Sequence, residues 1–268
     1  MPKDFRNGAL CSVAVYEDEL RFAGELADRA DGISTSYFRG SFRVSRKDDG
    51  TPVTDADLAV EEALRAELSK RFPGDSVLGE EHGLEGGSGR TWVLDPIDGT
   101  KNFAARIQIW GTLIALIDEG QPVVGVVSAP VLRERYAAAR GGGATLNREP
   151  ISVSAVSELP DAFLTWGTLS WPGEGLERAF HRLAAEAGRT RAFGDFWGHM
   201  LVARGAAEAM FEHELHVWDW AALKVIVEEA GGRVTQFDGS PPAHDGSVLT
   251  SNGEIHDLLV ARLSRSSE

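Results

Sequence analysis

The chain has 268 residues, enough for one large domain or two small ones with a substantial core. Its 27 Lys and Arg residues against 41 Asp and Glu residues give a formal charge of −14, and the basic residues are scattered. Nucleic acids and anionic membranes bind basic surfaces, so neither is expected as a partner. A small anionic substrate stays open, because bound cations can reverse the local field.

A single cysteine, Cys11, excludes an internal disulfide and a cysteine-based zinc cluster. Residues 1–11 contain no apolar segment after their basic residues, so we expect no signal peptide. No apolar run approaches the ~20 residues of a membrane-spanning helix. The sequence therefore predicts a cytoplasmic protein.

In the first third of the chain, apolar residues recur at helical or alternating spacing, which predicts helices mixed with short strands. The predicted elements are a helix over 16–38, a strand over 42–45, a turn over 48–50, a helix over 54–72, a strand over 76–79, a glycine-rich loop over 83–89 and a strand over 92–94. Thr54 is the expected N-cap of the second helix, because an acid follows three residues later. Pro96 is expected to end the last of these strands at Asp95, since proline cannot continue a β-ladder.

After this strand, three apolar runs separated by turn residues, over 110–117, 123–128 and 135–139, predict an antiparallel meander. Beyond it, helices and strands mix without a strict βαβ rhythm. The predicted elements are a strand over 163–167, a helix over 175–187, a strand over 189–193, a helix over 195–204 capped by Asp195, a strand over 209–212, a helix over 218–230, strands over 233–236 and 247–250 and a helix over 252–263. We predict an α+β fold with layered architecture, divided near Ile151 into halves 1–150 and 151–268.

Two carboxylates, Asp95 and Asp98, follow the predicted strand at 92–94, with the Ile97 carbonyl between them. An oxygen-only set of this kind is what Mg²⁺ prefers, usually with one or two carboxylates and a substrate phosphate. If a helical turn begins at Gly99, its free N–H groups and that of Thr100 form an anion site beside the metal. The alternative is an ordinary strand–turn with Asp at turn positions.

Four further acids stand at the ends of predicted elements: Glu80 and Glu81 after a strand, and Asp57 and Asp219 at helix starts. Taken singly, each has a structural explanation as a solvated turn or a helix cap. Taken together with the two carboxylates above, they form one site if these ends are neighbours. The chain contains no P-loop and no G-x-S-x-G nucleophile motif, which leaves metal-assisted chemistry as the favoured class.

Three segments, over 79–81, 95–103 and 218–232, follow one another in the order and spacing of the signatures of a known family. In them the chain resembles the inositol monophosphatase family of Mg²⁺-dependent, lithium-sensitive phosphatases, over nearly its whole length from Tyr16. The resemblance implies a layered α/β/α/β sandwich and a phosphomonoesterase acting on a small phosphorylated metabolite. It also implies a homodimer.

Residues 51–57, 77–82 and 194–198 make the chain most similar to the bacterial histidinol-phosphate phosphatase branch of that family. The implied reaction is hydrolysis of L-histidinol phosphate to L-histidinol and phosphate. Inositol 1-phosphate, or a related sugar or cyclitol phosphate, is the alternative substrate. An alternative of another class is a non-catalytic protein that binds a phosphate ligand on the same fold.

The resemblance further implies two Mg²⁺ ions in each active site, with a third held more weakly. The residues that match its metal ligands are Glu80, Asp95, the Ile97 carbonyl, Asp98 and Asp219. Glu81 matches a catalytic residue that helps to hold the third metal through water. Asp57 and Thr100 match the pair that orients and activates the attacking water, and the Gly99 and Thr100 amides match the phosphate cradle.

Asp195 and Glu212 are the candidates for binding the organic half of the substrate, because either acid could pair with the ammonium or imidazole of histidinol. The structural explanations are a helix cap for Asp195 and an exposed strand end for Glu212. Three histidines, His199, His213 and His216, could instead suggest a zinc site. The oxygen-rich acids suit Mg²⁺ better.

Overall fold

The computed structural model describes residues 16–47, 50–87, 89–168, 171 and 173–264. Within these ranges the helices are α1 (Glu17–Arg39), α2 (Asp55–Arg71), α3 (Thr100–Ala104), α4 (Glu174–Glu186), α5 (Asp195–Ala203), α6 (Val217–Glu229) and α7 (His256–Ser264), with a 3-10 turn at Leu159–Asp161. The strands are β1 (Val44–Arg46), β2 (Pro52–Thr54), β3 (Ser76–Gly79), β4 (Gly83–Glu85), β5 (Thr91–Asp98), β6 (Gly111–Asp118), β7 (Gln121–Ala129), β8 (Glu134–Ala139), β9 (Ala144–Leu146), β10 (Glu149–Ile151), β11 (Phe163–Trp166), β12 (Arg189–Arg191), β13 (Ala209–His216), β14 (Arg233–Thr235) and β15 (Asp245–Ser251).

The larger sheet has the strand order β10-β9-β8-β7-β6-β5-β3-β4, and β1 and β2 form a separate hairpin. Its pairs are antiparallel apart from β3 with β5, so the predicted meander over β6, β7 and β8 is confirmed. The segment predicted as a glycine-rich loop is in part a strand, since β4 pairs antiparallel with β3 at the sheet edge. Isolated glycines and a single apolar residue carry no strand periodicity, which is why the sequence missed it.

Helices cover both faces of this sheet. On one face α1 and α2 pack through an apolar stripe that includes Leu26, Leu64 and Leu68. On the other face α6 inserts Ala221, Ala222 and neighbouring apolar residues into a core shared with β5 to β8. A helix that is apolar on most sides is a buried helix, and α6 lies where its sequence requires.

The smaller sheet has the order β12-β11-β13-β15-β14, with β11 parallel to both of its neighbours. Helices α4 and α7 pack on its outer face through residues such as Phe180 and Leu259. On its inner face lies α5, with Leu201 and Val202 against Met210 of β13. The layered α+β sandwich is therefore confirmed, and α4 with α7 adds a further helical layer outside the second sheet.

Strand β5 runs past Pro96, the residue that was expected to end it. It continues through Pro96 to Asp98, with a register shift between Asp95 and Asp98 where it pairs with β6. The missing N–H of proline is tolerated here because residues in a bulge are left out of the ladder. The Pro96 carbonyl accepts a hydrogen bond from Thr112 Oγ1 at 2.8 Å, which holds the bulge in place.

Other boundaries also differ from the predicted ones. Strand β13 extends four residues past Glu212, across a second bulge, and α7 begins at His256 rather than at Asn252. The predicted turn at 48–50 lies partly outside the described residues. No helix in the part of the chain that the structure describes combines the length and apolar composition needed to cross a membrane.

The packing of α6 on the larger sheet generates a test at Gly125 of β7. A Cβ added there would lie 2.4 Å from the Ala222 carbonyl oxygen of α6. Gly125→Ala should therefore lower the free energy of unfolding by about 1–3 kcal/mol, because neither backbone can give way easily. Thermal unfolding of purified protein measures this as a lower Tm.

The matched control is Gly24→Ala in the middle of α1, where an added Cβ meets no heavy atom within 4 Å. Alanine is the better helix former by about 0.5–1 kcal/mol, so this variant should have an equal or higher Tm. A similar Tm change in the two variants would contradict the described packing of α6.

Candidate active site

The end of β5 and the start of α3 form the floor of the site. Asp95 is 1% exposed, whereas Asp98, at the end of the bulge, is half-buried. Gly99 follows with φ of +80°, and a Cβ there would lie 3.0 Å from the Ile109 carbonyl oxygen. Only glycine satisfies both the left-handed backbone and the close approach, and the chain can then turn into α3 at Thr100.

Helix α6 brings Asp219 to the same place. Asp219 is the third residue of the helix, and its Oδ2 accepts a hydrogen bond of 2.7 Å from the His216 backbone N–H. Carboxylate oxygens of Asp95, Asp98 and Asp219 all lie within 4.8 Å of one another. Asp219 thus caps its helix and faces the other two acids at the same time.

This arrangement is electrostatically unfavourable without a counter-ion. Burial, then repulsion from neighbouring acids, raises the pKa of Asp95 and Asp98 well above the usual range. Burial raises the pKa of Asp219 to about 7. Asp95 Oδ1 is buried and has no hydrogen-bond partner in the structure. A cluster of close carboxylates with an unsatisfied buried oxygen fits a hard divalent cation.

Glu80 and Glu81 lie beside this cluster and contact a residue that the sequence analysis missed. Lys47 Nζ lies 2.7 Å from Glu80 Oε1 and 2.9 Å from Glu81 Oε1. Burial raises the pKa of Glu81 to about 7, although the bond from Lys47 opposes the shift. Lys47 follows the exposed strand β1, and nothing in the local pattern distinguishes it from a solvated lysine.

Glu61 is a second residue that the sequence analysis missed. It is completely buried in α2, where its carboxylate accepts hydrogen bonds from the Glu81 and His82 backbone N–H groups at 2.8 and 3.1 Å. Arg65, one turn later, pairs with it at 2.8 Å. Glu61 therefore fixes the turn that carries the two glutamates. The sequence did contain a signal for the burial of Glu61, because it lies on the same helical face as the apolar residues Leu64 and Leu68.

Asp57 lies behind the cluster, completely buried at the start of α2. The predicted capping box is present, since Thr54 caps the helix and its N–H donates to Asp57 Oδ2 at 2.9 Å. Thr100 Oγ1 lies 3.2 Å from Asp57 Oδ1 and 2.9 Å from the Ile97 carbonyl oxygen. Burial raises the pKa of Asp57 to about 6, against the hydrogen bonds from Thr54.

Asp195 is not the N-cap of α5. Gly194 occupies that position, and Asp195 has φ of +55°. Its carboxylate instead accepts a hydrogen bond from Asn102 Nδ2 at 2.8 Å, and burial raises its pKa to about 7. The next residue, Phe196, donates its backbone N–H to Asp98 Oδ2 at 2.7 Å. The left-handed conformation of Asp195 thus places its own carboxylate in the site and lets the next N–H donate to Asp98.

Glu212 is not an exposed strand end. It is half-buried, and its Oε2 lies 3.2 Å from Nε2 of the buried His199. His199 Nδ1 lies 2.7 Å from Thr250 Oγ1, and His216 Nδ1 contacts Asp245 instead. Among the described residues, the group of acids and histidines with metal-binding spacing is the aspartate trio, so the suggestion of a histidine zinc site receives no support.

One cavity of about 460 Å³ collects most of the predicted site. Its lining includes Glu80, Asp95, Ile97, Asp98, Gly99, Thr100, Asp195 and Asp219. Asp57, Glu81 and Glu212 do not line it. Asp57 and Glu81 contact the lining residues Thr100 and Lys47, whereas Glu212 contacts the buried His199, which does not line the cavity. The individual roles assigned to these residues stay predictions.

Residues 16–268 match the model of the inositol monophosphatase family. A histidinol-phosphatase from Mycobacterium tuberculosis is 47% identical over 92% of this chain and 98% of its own length. An inositol-1-monophosphatase from Caulobacter vibrioides is 35% identical over 82% and 90%. The solved extragenic suppressor protein SuhB from Bartonella henselae superposes with a TM-score of 0.87 at 30% identity, over 92% of this chain and 99% of its own.

The buried carboxylates predict an unusual pH dependence for the metal-free protein. The folded pKa of Asp219 is about 7, and an unfolded Asp titrates near 4. Between these values the folded state binds more protons than the unfolded state, so stability falls as the pH rises from about 4 to about 7 and then levels off. Thermal unfolding in excess chelator should show Tm decreasing over this window.

Asp219→Asn should reduce that slope, because an amide does not titrate. The matched control, Asp161→Asn, changes an exposed acid far from the site and should retain the wild-type slope. Equal slopes in the wild type and Asp219→Asn would contradict the shifted pKa.

Proposed function

The chain belongs to the inositol monophosphatase family, and we propose that it is a Mg²⁺-dependent phosphomonoesterase that hydrolyses L-histidinol phosphate to L-histidinol and phosphate. The observation that carries the substrate is the higher identity to a histidinol-phosphatase than to an inositol-1-monophosphatase, over a larger share of the chain. The acid-rich leaving-group side of the cavity supports it, since histidinol phosphate carries a cation there.

We assign the metal ligands from the cluster at the end of β5. One Mg²⁺ would be held by Glu80, Asp95 and the Ile97 carbonyl. A second would be held by Asp95, Asp98 and Asp219. Glu81 would help to hold a weaker third ion through water. When bound, the metals neutralise the phosphate, lower the pKa of water and stabilise the leaving oxygen. Two observations support the assignment: the unsatisfied Asp95 Oδ1 and the spacing of the three aspartates.

Thr100 and Asp57 would handle the proton of the attacking water. When the Thr100 hydroxyl donates to Asp57, its oxygen is free to accept from a water, whose lone pair then points towards phosphorus. Asp57 has a pKa of about 6, close to a neutral working pH, where a general base is most effective. The capping bonds from Thr54 hold the carboxylate in place for this role.

The substrate would lie along the cavity between the two halves of the sequence. The Gly99 and Thr100 amides would hold the phosphate, while Asp195 and Glu212 would pair with the cation of the leaving group. In this proposal residues 1–150 supply most metal ligands, and residues 151–268 supply the substrate side and Asp219. The homodimer rests on the resemblance and the cytoplasmic location on the sequence analysis, and both belong to the same proposal.

A substrate panel tests the function. With Mg²⁺, kcat/KM for L-histidinol phosphate should exceed that for inositol 1-phosphate by at least tenfold, because only the former carries a cation for the acids. Excess chelator should abolish turnover, Mg²⁺ should restore it, and Li⁺ should inhibit. Preference for inositol 1-phosphate would support the alternative substrate. Tight binding of these esters without turnover would support the non-catalytic alternative.

Replacing Thr100 tests the proton pathway. Thr100→Ala should lower kcat by about 10²–10⁴-fold, the usual contribution of acid–base catalysis, with little change in the Mg²⁺ concentration for half-maximal activity. Thr100→Ser keeps the hydroxyl and should retain most of kcat. Equal losses in the two variants would contradict a role for the hydroxyl.

A further inference from the structure

A second cavity adjoins the catalytic one. It has a volume of about 610 Å³, and Glu214 and His216 line both cavities. Phe237 and Leu176 give the second cavity an apolar part, and Asp245 adds a carboxylate. The two cavities therefore meet at Glu214 and His216.

A bulge in β13 places Glu214 at the junction of the two cavities. Glu212 pairs with Val248 of β15, and Leu215 pairs with Gly246. Between these two pairs, β13 therefore contains one residue more than β15. Glu214 is the residue with left-handed backbone in this bulge, with φ of +61°. Bulges next to active sites re-aim side chains, and a non-glycine residue in this conformation reduces stability.

The Glu214 side chain is 87% exposed, and its Oε1 lies 3.8 Å from His213 Nδ1, beyond hydrogen-bond distance. It therefore contributes little to packing. Asp195 already supplies one carboxylate to the lining of the catalytic cavity outside the aspartate cluster. A further carboxylate at the junction of the two cavities favours a positively charged leaving group, because charge-assisted hydrogen bonds are roughly twice as strong as neutral ones.

We propose that Glu214 determines specificity for phosphomonoesters whose leaving group carries an organic cation, an ammonium or imidazolium, which it binds at the junction of the two cavities. The inference deepens the proposed function and rests on its assignment of a phosphatase site. The apolar part of the second cavity, around Phe237, accommodates the body of that leaving group.

The test uses a pair of substrates that differ mainly in charge: 2-aminoethyl phosphate and propyl phosphate, with L-histidinol phosphate alongside. In Glu214→Gln the ratio of kcat/KM for the aminoethyl ester over the propyl ester should fall by roughly tenfold, the scale of one bond to a charged group. The fall should shrink at high ionic strength, because an exposed charge is screened. Glu119→Gln, another exposed left-handed glutamate on the β6–β7 turn, should keep the wild-type ratio.

Glu214→Gly separates specificity from folding. Glycine relieves the left-handed backbone, so its Tm should equal or exceed that of the wild type, while the charge preference falls as in Glu214→Gln. An unchanged ratio in both variants, or equal losses for the two esters, would overturn the proposal. If the wild type fails on L-histidinol phosphate but retains a Glu214-dependent preference for the aminoethyl ester, the proposed substrate is wrong and this inference stands.

Discussion

The repulsion among the buried carboxylates of Asp95, Asp98 and Asp219 is the constraint on which the rest of the structure depends. Close like charges in a poorly solvated site oppose folding unless the fold holds them by other means. The packing of α6 against the larger sheet supplies those means, since Ala221 and Ala222 of the helix share a core with β5. The hydrophobic packing of α6 thus holds the three aspartates together, although repulsion between their charges would separate them.

Backbone donors stabilise the site in part. Asp98 accepts from the Phe196 N–H, Asp219 from the His216 N–H and Asp57 from the Thr54 N–H. These bonds come from three different elements, so each acid is held at the junction of two segments. Asp95 Oδ1 lacks such a donor. Within the aspartate cluster, the carboxylate with an unsatisfied buried oxygen is therefore the one best suited to a cation.

Periodicity predicted the layered α+β fold, because apolar spacing records which face of an element is buried. It left the convergence of the acids conditional on neighbouring element ends, and the family resemblance implied their common site. The sequence failed where the deciding partner is distant along the chain. Pro96 lies within β5 because the bulge does not require a hydrogen bond from its missing N–H. The Asp195 carboxylate accepts a hydrogen bond from Asn102 instead of capping α5. Glu61 and Lys47 were missed for the same reason: each acquires its role from the Glu80–Glu81 turn.

The two ends of the cavity make opposite electrostatic demands. A metal-free cluster of aspartates would repel a phosphate ester, so in the proposed function affinity for the phosphate end depends on a bound cation. Lys47 and Lys101 add positive charges to the lining of the cavity. The proposed leaving-group end has no such requirement, because Asp195 and Glu214 in its lining carry negative charge. A substrate that is anionic at one end and cationic at the other matches both ends in one orientation only. In the proposed function, the metal cluster would therefore determine the reaction, and acids that bind no metal would select the substrate.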